Sequence, residues 1–257
     1  QVVGKVITTA LSLVLIAALT RYLGVSAFGV YTTVFAYVAF FGVLADFGFF
    51  WIMSREIAQI DDQRQYNRVV NNVLTLRTFL GLGVFGLGAA LAVFIPQYGS
   101  DVRIGILLIS AAWLATALNS TFVAVFQNKL RMDKAVITDI VGRTATLSLV
   151  IWFITQGAPL TTIFASYIVG TWLNLALSFR LGQRYVRVRP AFDLVVWQRI
   201  FIEAFPMGIA LILHVIYYRI DSIMLSLMAG ITDVGIYGVP YKILDVILTL
   251  PVMFLGN

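Results

Sequence analysis

Long apolar runs separated by short polar links make up almost the whole chain. A helix needs about 20 apolar residues to cross the hydrocarbon core of a membrane, and each run is long enough. The runs are continuous and do not alternate, which excludes a transmembrane barrel. We therefore predict an all-α, polytopic helical bundle of eight spans, at about residues 2–20, 27–53, 69–95, 104–127, 135–155, 160–179, 200–229 and 234–255.

Composition supports a membrane protein without catalytic chemistry. Hydrophobic residues make up 60% of the 257 positions and charged residues 12%, with a mean hydropathy of +0.94. A soluble domain holds about 45–50% apolar and about 25% charged residues, so lipid must be the solvent for much of this surface. The chain has no cysteine and one histidine. Lacking thiolates, a metal-ligand cluster and a Ser/His/Asp set, it is expected to hold no metal or cofactor and to be no enzyme.

The basic residues predict an orientation, because Lys and Arg favour cytoplasmic links. The link at residues 54–68 is expected to be an interfacial helix or loop, and the longest link, residues 180–199, is strongly basic. On the side of the N-terminus lie twelve cations: Lys5, Arg55, Arg64, Arg68, Lys129, Arg131, Lys134, Arg180, Arg184, Arg187, Arg189 and Arg199. The other side has two, Arg21 and Arg103. We predict a multi-pass protein of the cytoplasmic (inner) membrane, with a cytoplasmic N-terminus and no nucleic acid partner.

Two short sequences, GVSAFGVY at residues 24–31 and GITDVGIY at residues 230–237, indicate an internal repeat. Three pairs are identical: Gly24 and Gly230, Gly29 and Gly235, Tyr31 and Tyr237. Each copy is predicted to be the turn of a helical hairpin. Six spans separate the copies, so both point the same way and the repeats are parallel. Residues 1–199 are predicted to be a six-helix lobe with its basic link, and residues 200–257 the first two helices of a truncated second lobe.

Two further features have an ordinary structural interpretation. GLGVFG at residues 81–86 fits a dinucleotide-binding pattern, but that pattern needs a preceding strand. Its glycines are predicted to allow close helix packing inside one span. His214 lies among apolar residues and is predicted to be a packed, neutral histidine, with a proton-relay role as the alternative.

Charges within the predicted spans are the most informative residues, since a charge in lipid is costly and usually faces a partner or a cavity. The basic members are Arg77, Arg143, Arg219 and Lys242, and the acidic members are Asp46, Asp139, Asp221 and Asp245. Asp139 and Arg143 have the favourable i,i+4 order. Asp46 and Arg77 flank the link between spans two and three at similar depth. In the last predicted hairpin, Asp221 and Lys242 lie at equal depth in the membrane, and so do Arg219 and Asp245. We therefore predict that Asp221 approaches Lys242 and that Arg219 approaches Asp245. Mutual pairing is one interpretation, and a wet cavity that attracts an anion is the other.

Residues 18–58, ALTRYLGVSAFGVYTTVFAYVAFFGVLADFGFFWIMSREIA, resemble the opening of the Wzx-like oligosaccharide (O-antigen) flippases of the polysaccharide exporter class. The segment YYRIDSIMLSLMAGITDVGIYGVPYKILDV resembles the start of that family's second half. The resemblance implies two six-helix lobes around a central cavity, with alternating access. It also implies a substrate, a prenyl-pyrophosphate-linked oligosaccharide moved to the outer leaflet, with a glycan polymerase or ligase as further partner.

A lipid-linked pyrophosphate is anionic and suits guanidinium groups. The candidate substrate contacts are therefore Arg77, Arg143, Arg219 and Lys242, with Arg21 at the outer mouth. The alternatives are a cation-coupled multidrug exporter, for which carboxylates are more suitable than arginines, and a non-transporting scaffold whose buried charges pair with each other.

Overall fold

A computed structural model of the chain describes residues 2–238 and Pro240, with side chains at residues 4–218, 220–238 and Pro240. The helices are α1 Val2–Asp46, α2 Phe49–Ile57, α3 Gln63–Val93, α4 Ser100–Asn128, α5 Met132–Thr155, α6 Leu160–Gly182 and α7 Leu194–Met228. Residues 231–238 are helical as well. Six helical stretches of the described part are long and apolar enough to cross a membrane. The predicted fold class, an all-α polytopic bundle, is confirmed.

The first of these stretches contains two antiparallel arms, because Gly24 interrupts α1 with a non-helical φ of 66° and ψ of 177°. The arm before Gly24 lies beside α5. Gly4 packs against Val136 near the start of α5, and the Tyr22 hydroxyl donates to the Ala158 carbonyl just after its end, at 2.9 Å. The first arm therefore runs parallel to α5.

The arm after Gly24 returns beside α4. Val34 packs at Gly105 near the start of α4, and Gly42 packs against Trp113 further along it. Because α4 and α5 are consecutive antiparallel helices, the two arms of α1 are antiparallel and form the first predicted hairpin. The predicted extent of the turn is wrong, since only Gly24 turns and residues 25–31 are already helical.

The polar link predicted at residues 54–68 is shorter in the structure. The helix α2 continues to Ile57, and α3 already begins at Gln63, where the Asp62 side chain accepts from the Gln65 N–H at 2.9 Å and caps the helix. Spans three to seven follow the predicted order with ends shifted by a few residues. Most of the eighth predicted span lies outside the described residues.

The two ends of the bundle differ in charge. At one end, here called the motif end, lie Gly24, the α5–α6 turn and Tyr98, whose hydroxyl lies 3.3 Å from the Ser226 hydroxyl of α7. At the other, here called the basic end, α3, α5 and α7 begin and α2, α4 and α6 end. All twelve cations predicted for one side lie at this end: eleven are on these helix ends and the links between them, and Lys5 is at the start of α1, beside the start of α5. The orientation of the basic end toward the cytoplasm stays a prediction.

The α6–α7 link at the basic end is held along α3 by a ladder of polar side chains. Four residues of α3 take part at four-residue spacing: Gln63, Asn67, Asn71 and Thr75. They contact the backbone of residues 185–191 at two-residue spacing. Asn71 shows the pattern, since its amide donates to the Arg187 carbonyl at 2.9 Å and accepts from the Arg189 N–H at 3.3 Å. Four residues of helix rise about 6 Å, close to two residues of extended chain, so the two registers match.

The start of α7 is fastened to the preceding helices by charges. Asp193 caps α7 by accepting from the N–H groups of Val195 and Val196, and it pairs with Arg68 of α3. The hydrogen bond from Arg68, assisted by the Val196 N–H, lowers the pKa of the Asp193 carboxyl. Two further ion pairs, Arg55–Glu203 and Glu56–Arg199, join α2 to α7. The first helix of the predicted second lobe is therefore bound to the first lobe at the basic end.

Candidate functional site

A polar cavity of about 230 Å³ lies between α1, α4, α5 and α6, within the predicted six-helix lobe. Its polar lining consists of Ser12, Thr116, Asn119, Asp139, Arg143, Thr146, Tyr167, Thr171 and Asn174. A polar lining of this kind in a membrane bundle is costly unless the groups have partners or face water. The cavity holds one of the predicted cations and one of the predicted acids.

Arg143 is the cation of this cavity. Its Nε donates to both carboxylate oxygens of Asp139, at 2.9 and 3.1 Å, and its Nη1 donates to the Ser12 hydroxyl of α1 at 2.9 Å. The side chain of Arg143 is 47% exposed and that of Asp139 is 36% exposed. An exposed ion pair of this kind contributes only about 0.2–1 kcal/mol. Arg143 can therefore exchange its partner for another anion at small cost.

Close packing of α5 on α6 forms one wall of the cavity. A Cβ on Gly142 would lie 2.8 Å from the Gly170 carbonyl, and a Cβ on Gly170 would overlap the Thr146 hydroxyl. Small residues at both positions let the two helices meet there. As a result, the polar side chains of α5 and α6 beside this contact line the same cavity.

A second cavity of about 220 Å³ adjoins the first and extends toward the start of α1. Lys5 and Thr8 line it, and it shares Asn119 and Asp139 with the first cavity. The Asn119 Oδ1 is buried and accepts no hydrogen bond within the described part of the chain. The two cavities adjoin along the first arm of α1, with Lys5 beside one and Arg143 beside the other.

Arg77 lies elsewhere and has a different environment. Its side chain is 0% exposed and pairs with Asp46, which is 30% exposed. The Arg77 Nη1 also donates to the Ala117 carbonyl at 3.1 Å, to the Thr121 hydroxyl at 3.2 Å and to the Ser120 hydroxyl. Asp46 and Arg77, two of the charges within the predicted spans, thus form an ion pair. In this conformation Arg77 joins α1, α3 and α4, and substrate contact by Arg77 stays a prediction.

Of the other predicted cations, Arg21 lies within the described part, whereas the side chains of Arg219 and Lys242 do not. Arg21 is exposed near the Gly24 turn. Asp221 accepts from the Tyr237 hydroxyl at 2.7 Å. The described part does not include the Arg219 side chain, Lys242 or Asp245. The predicted pairing of Asp221 with Lys242, and of Arg219 with Asp245, therefore lies outside the described residues.

The two copies of the repeated motif pack directly against each other at the motif end. A Cβ on Gly29 would overlap the Ile231 carbonyl oxygen, and a Cβ on Gly235 would overlap the Val25 carbonyl oxygen. Val25 and Ile231 occupy equivalent positions of the two copies. The sixth residue of each copy therefore meets the second residue of the other, as at an isologous two-fold contact. We call this the motif contact.

Two further features agree with this two-fold relation. Gly24 and Gly230 both have positive φ, 66° and 122°, and each is followed by helical residues. Gly238 packs against Thr32, and these two residues are also 206 positions apart. The identical tyrosines have different partners, since Tyr31 hydrogen-bonds with Tyr167 at 3.0 Å whereas Tyr237 donates to Asp221.

Two predictions from the sequence need correction. His214 is exposed and stacks on Tyr218, with ring centroids 6.0 Å apart, so it is not packed in the interior. In the glycine-rich part of α3, Gly81 packs against Leu114, but Gly83 and Gly86 face open space. Only part of that glycine run serves helix packing.

Sequence reasoning missed the uncharged polar residues of the cavity. Thr8 and Ser12 of α1, and Thr171 and Asn174 of α6, lie three or four residues apart and so share a helix face. This three- or four-residue spacing is the pattern from which these polar residues could have been identified in the sequence. Among the described residues, no group of three His, Cys, Asp or Glu side chains has the arrangement of a metal site.

The chain resembles known proteins in sequence and in fold. The sequence matches the family of polysaccharide biosynthesis proteins over residues 1–256. Comparison with curated proteins gives no match. A solved structure, that of the MATE multidrug transporter DinF-BH, has a TM-score of 0.69 and 16% identity. The similarity covers 98% of this chain and 59% of that transporter, and at this identity it shows the fold alone. The chain belongs to the polysaccharide biosynthesis protein family.

Proposed function

We propose that the full-length protein flips a prenyl-pyrophosphate-linked oligosaccharide from the cytoplasmic to the outer leaflet of the cytoplasmic membrane. Membership of the polysaccharide biosynthesis family carries this proposal. The polar cavity with Arg143 supports it, because an exporter of a lipid-linked glycan needs a polar route beside the lipid. A glycan polymerase or ligase would then use the product on the outer side.

Arg143 is the residue best placed to contact the pyrophosphate. A guanidinium group binds phosphate through two parallel hydrogen bonds. Because the ion pair with Asp139 is weak, Arg143 can exchange Asp139 for a phosphate group. The neighbouring hydroxyls and amides suit a sugar or phosphate oxygen. The prenyl tail, being apolar, remains in the lipid. Arg21, exposed near the Gly24 turn, is a second candidate contact at the outer mouth.

A cation-coupled exporter of small molecules is the second candidate function. The fold similarity to a MATE multidrug transporter favours it, and Asp139 in the cavity offers a carboxylate for a cation. The two functions require opposite charges at the same place. An anionic substrate depends on Arg143, whereas a cationic substrate or coupling ion depends on Asp139.

The test is surface glycan display in cells that carry the full-length gene with single substitutions. Loss of a charge-assisted hydrogen bond costs about 1.5–3 kcal/mol, so Arg143→Ala should lower glycan display by about 10- to 150-fold. Arg143→Lys should give an intermediate value, because lysine keeps the charge but loses the fork. Asp139→Asn should be tolerated, since it frees Arg143.

Arg131→Ala is the matched control, because Arg131 pairs with Asp133 in the α4–α5 link, away from the cavity. Display at the wild-type level in Arg143→Ala, at equal protein amounts, would remove Arg143 from the mechanism. Loss of function in Asp139→Asn with normal function in Arg143→Ala would favour the cation-coupled exporter.

A further inference from the structure

Another concave site, of different character, lies at the basic end, between the start of α3, the end of α4 and the start of the α6–α7 link. It is about 430 Å³ in volume. Three cations line it, Lys129, Arg184 and Arg187, together with the amide side chains of Gln63, Asn67 and Gln183. We call it the basic pocket. It is separate from the polar cavity around Arg143, with which it shares no lining residue.

The cations of the basic pocket have no acidic partner within the described part of the chain. Neighbouring cations at the same end are paired, as Arg68 is with Asp193 and Arg131 is with Asp133. None of the described ion pairs includes a cation of the basic pocket. Three like charges around one concave site repel one another, and a bound anion would relieve that repulsion.

The pocket wall is fixed before any ligand binds. The Gln63 amide donates to the Tyr185 carbonyl at 3.0 Å, and the Arg187 N–H donates to the Asn67 side chain at 3.3 Å. The Lys129 Nζ lies 4.4 Å from the centre of the Tyr66 ring, a cation–π contact that orients it. A ligand would therefore bind to a backbone already ordered by the polar ladder of α3, and little further ordering is needed.

We propose that the basic pocket binds a phosphate group. Two guanidinium forks, one ammonium and the amide groups of Asn67 and Gln183 match the acceptor oxygens of phosphate, while the Gln63 amide is used within the pocket wall. Phosphate at the end of a membrane bundle has two sources, the headgroup of an anionic phospholipid and a soluble phosphate compound. Basic pockets at the ends of membrane helices commonly recognise anionic lipid headgroups. The proposal is independent of the transported substrate, because the pocket lies apart from the Arg143 cavity.

The experiment uses purified full-length protein in two arms. In the first, the protein is placed in nanodiscs of phosphatidylcholine with a small fraction of phosphatidylglycerol, and bound phosphatidylglycerol is counted by native mass spectrometry. In the second, binding of inorganic phosphate and pyrophosphate is measured calorimetrically in neutral detergent. The variants are Arg184→Gln, Arg187→Gln and Lys129→Gln, singly and combined. Arg64→Gln, an exposed cation of α3 outside the pocket, is the control.

Each basic residue near a membrane surface contributes about 1 kcal/mol, so each substitution should weaken binding about fivefold and the triple variant about 100-fold. Arg64→Gln should bind as the wild type does. Loss in the first arm alone identifies a lipid headgroup, and loss in the second arm identifies a soluble phosphate. Equal binding by wild type, single variants and triple variant in both arms would overturn the proposal. The exposed single variant Arg184→Gln gives the same test if the triple variant does not fold.

Discussion

Alanine at Gly29 or Gly235 should lower glycan export by the full-length protein about 5- to 150-fold. Each added methyl group would overlap a backbone carbonyl oxygen of the other motif copy, and a backbone atom cannot move aside as a side-chain end can. Overpacking of this kind costs about 1–3 kcal/mol, which shifts a two-state equilibrium by about 5- to 150-fold. An exporter that alternates between two conformations must populate both of them. A substitution that disfavours the conformation with the motif contact formed should therefore lower export by a similar factor.

The motif contact itself can be followed by disulfide formation, because residues 1–257 contain no cysteine. Thr32→Cys and Gly238→Cys introduce a pair at equivalent positions of the repeat that already touch. The pair should cross-link readily in an otherwise unchanged protein and much more slowly with Gly29→Ala. Gly83→Ala and Gly86→Ala are matched controls, since both positions face open space in α3. Unchanged cross-linking and export in both Gly29→Ala and Gly235→Ala would show that the motif contact has no part in transport.

The second large effect concerns folding. Arg77→Ala should destabilise the protein by about 3–5 kcal/mol, because it leaves the Asp46 carboxylate in the bundle without its cation. The same change removes the hydrogen bonds to the Ala117 carbonyl and to the hydroxyls of Ser120 and Thr121. Arg77→Lys should recover only part of the loss, since one ammonium group cannot reach all these acceptors.

Thermal unfolding of the full-length protein in detergent measures this effect. Addition of Asp46→Asn to Arg77→Ala should restore part of the stability by removing the unpaired charge. Arg64→Ala, on the exposed side of the same helix, is the control and should be close to wild type. Wild-type stability of Arg77→Ala would mean that Asp46 finds another partner and that the pair does not join α1, α3 and α4.

The sequence alone predicts the spans well. Uninterrupted apolar runs identify a membrane helix by length, and the i,i+4 spacing of Asp139 and Arg143 favours their contact. Similar depth makes Asp46 and Arg77 candidates for pairing but leaves a cavity-facing role open. What the sequence does not predict is helix rotation. Lipid-facing and protein-facing sides are both apolar in these spans, so the pattern does not say which face of α1 meets α5.

Two features are not predicted, for related reasons. The polarity of the residues at the start of α3 indicates a link, although their four-residue spacing from Gln63 to Thr75 is that of one helix face. Their partner is the backbone of the α6–α7 link, more than 100 positions away, and no local pattern reveals it. The motif contact is similar, because the repeat identifies Gly29 and Gly235 as equivalent but does not indicate that the two copies meet.

Transport by the purified full-length protein tests the central claim most directly. The protein is reconstituted in liposomes with a fluorescent prenyl-pyrophosphate oligosaccharide, and arrival of the glycan in the opposite leaflet is followed with an impermeant quencher. We predict movement of the lipid-linked glycan by the wild type, a rate slower by about 10- to 150-fold with Arg143→Ala, and no uptake of a lipophilic cation along an ion gradient. Gradient-driven uptake of the cation, without movement of the glycan, would contradict the account.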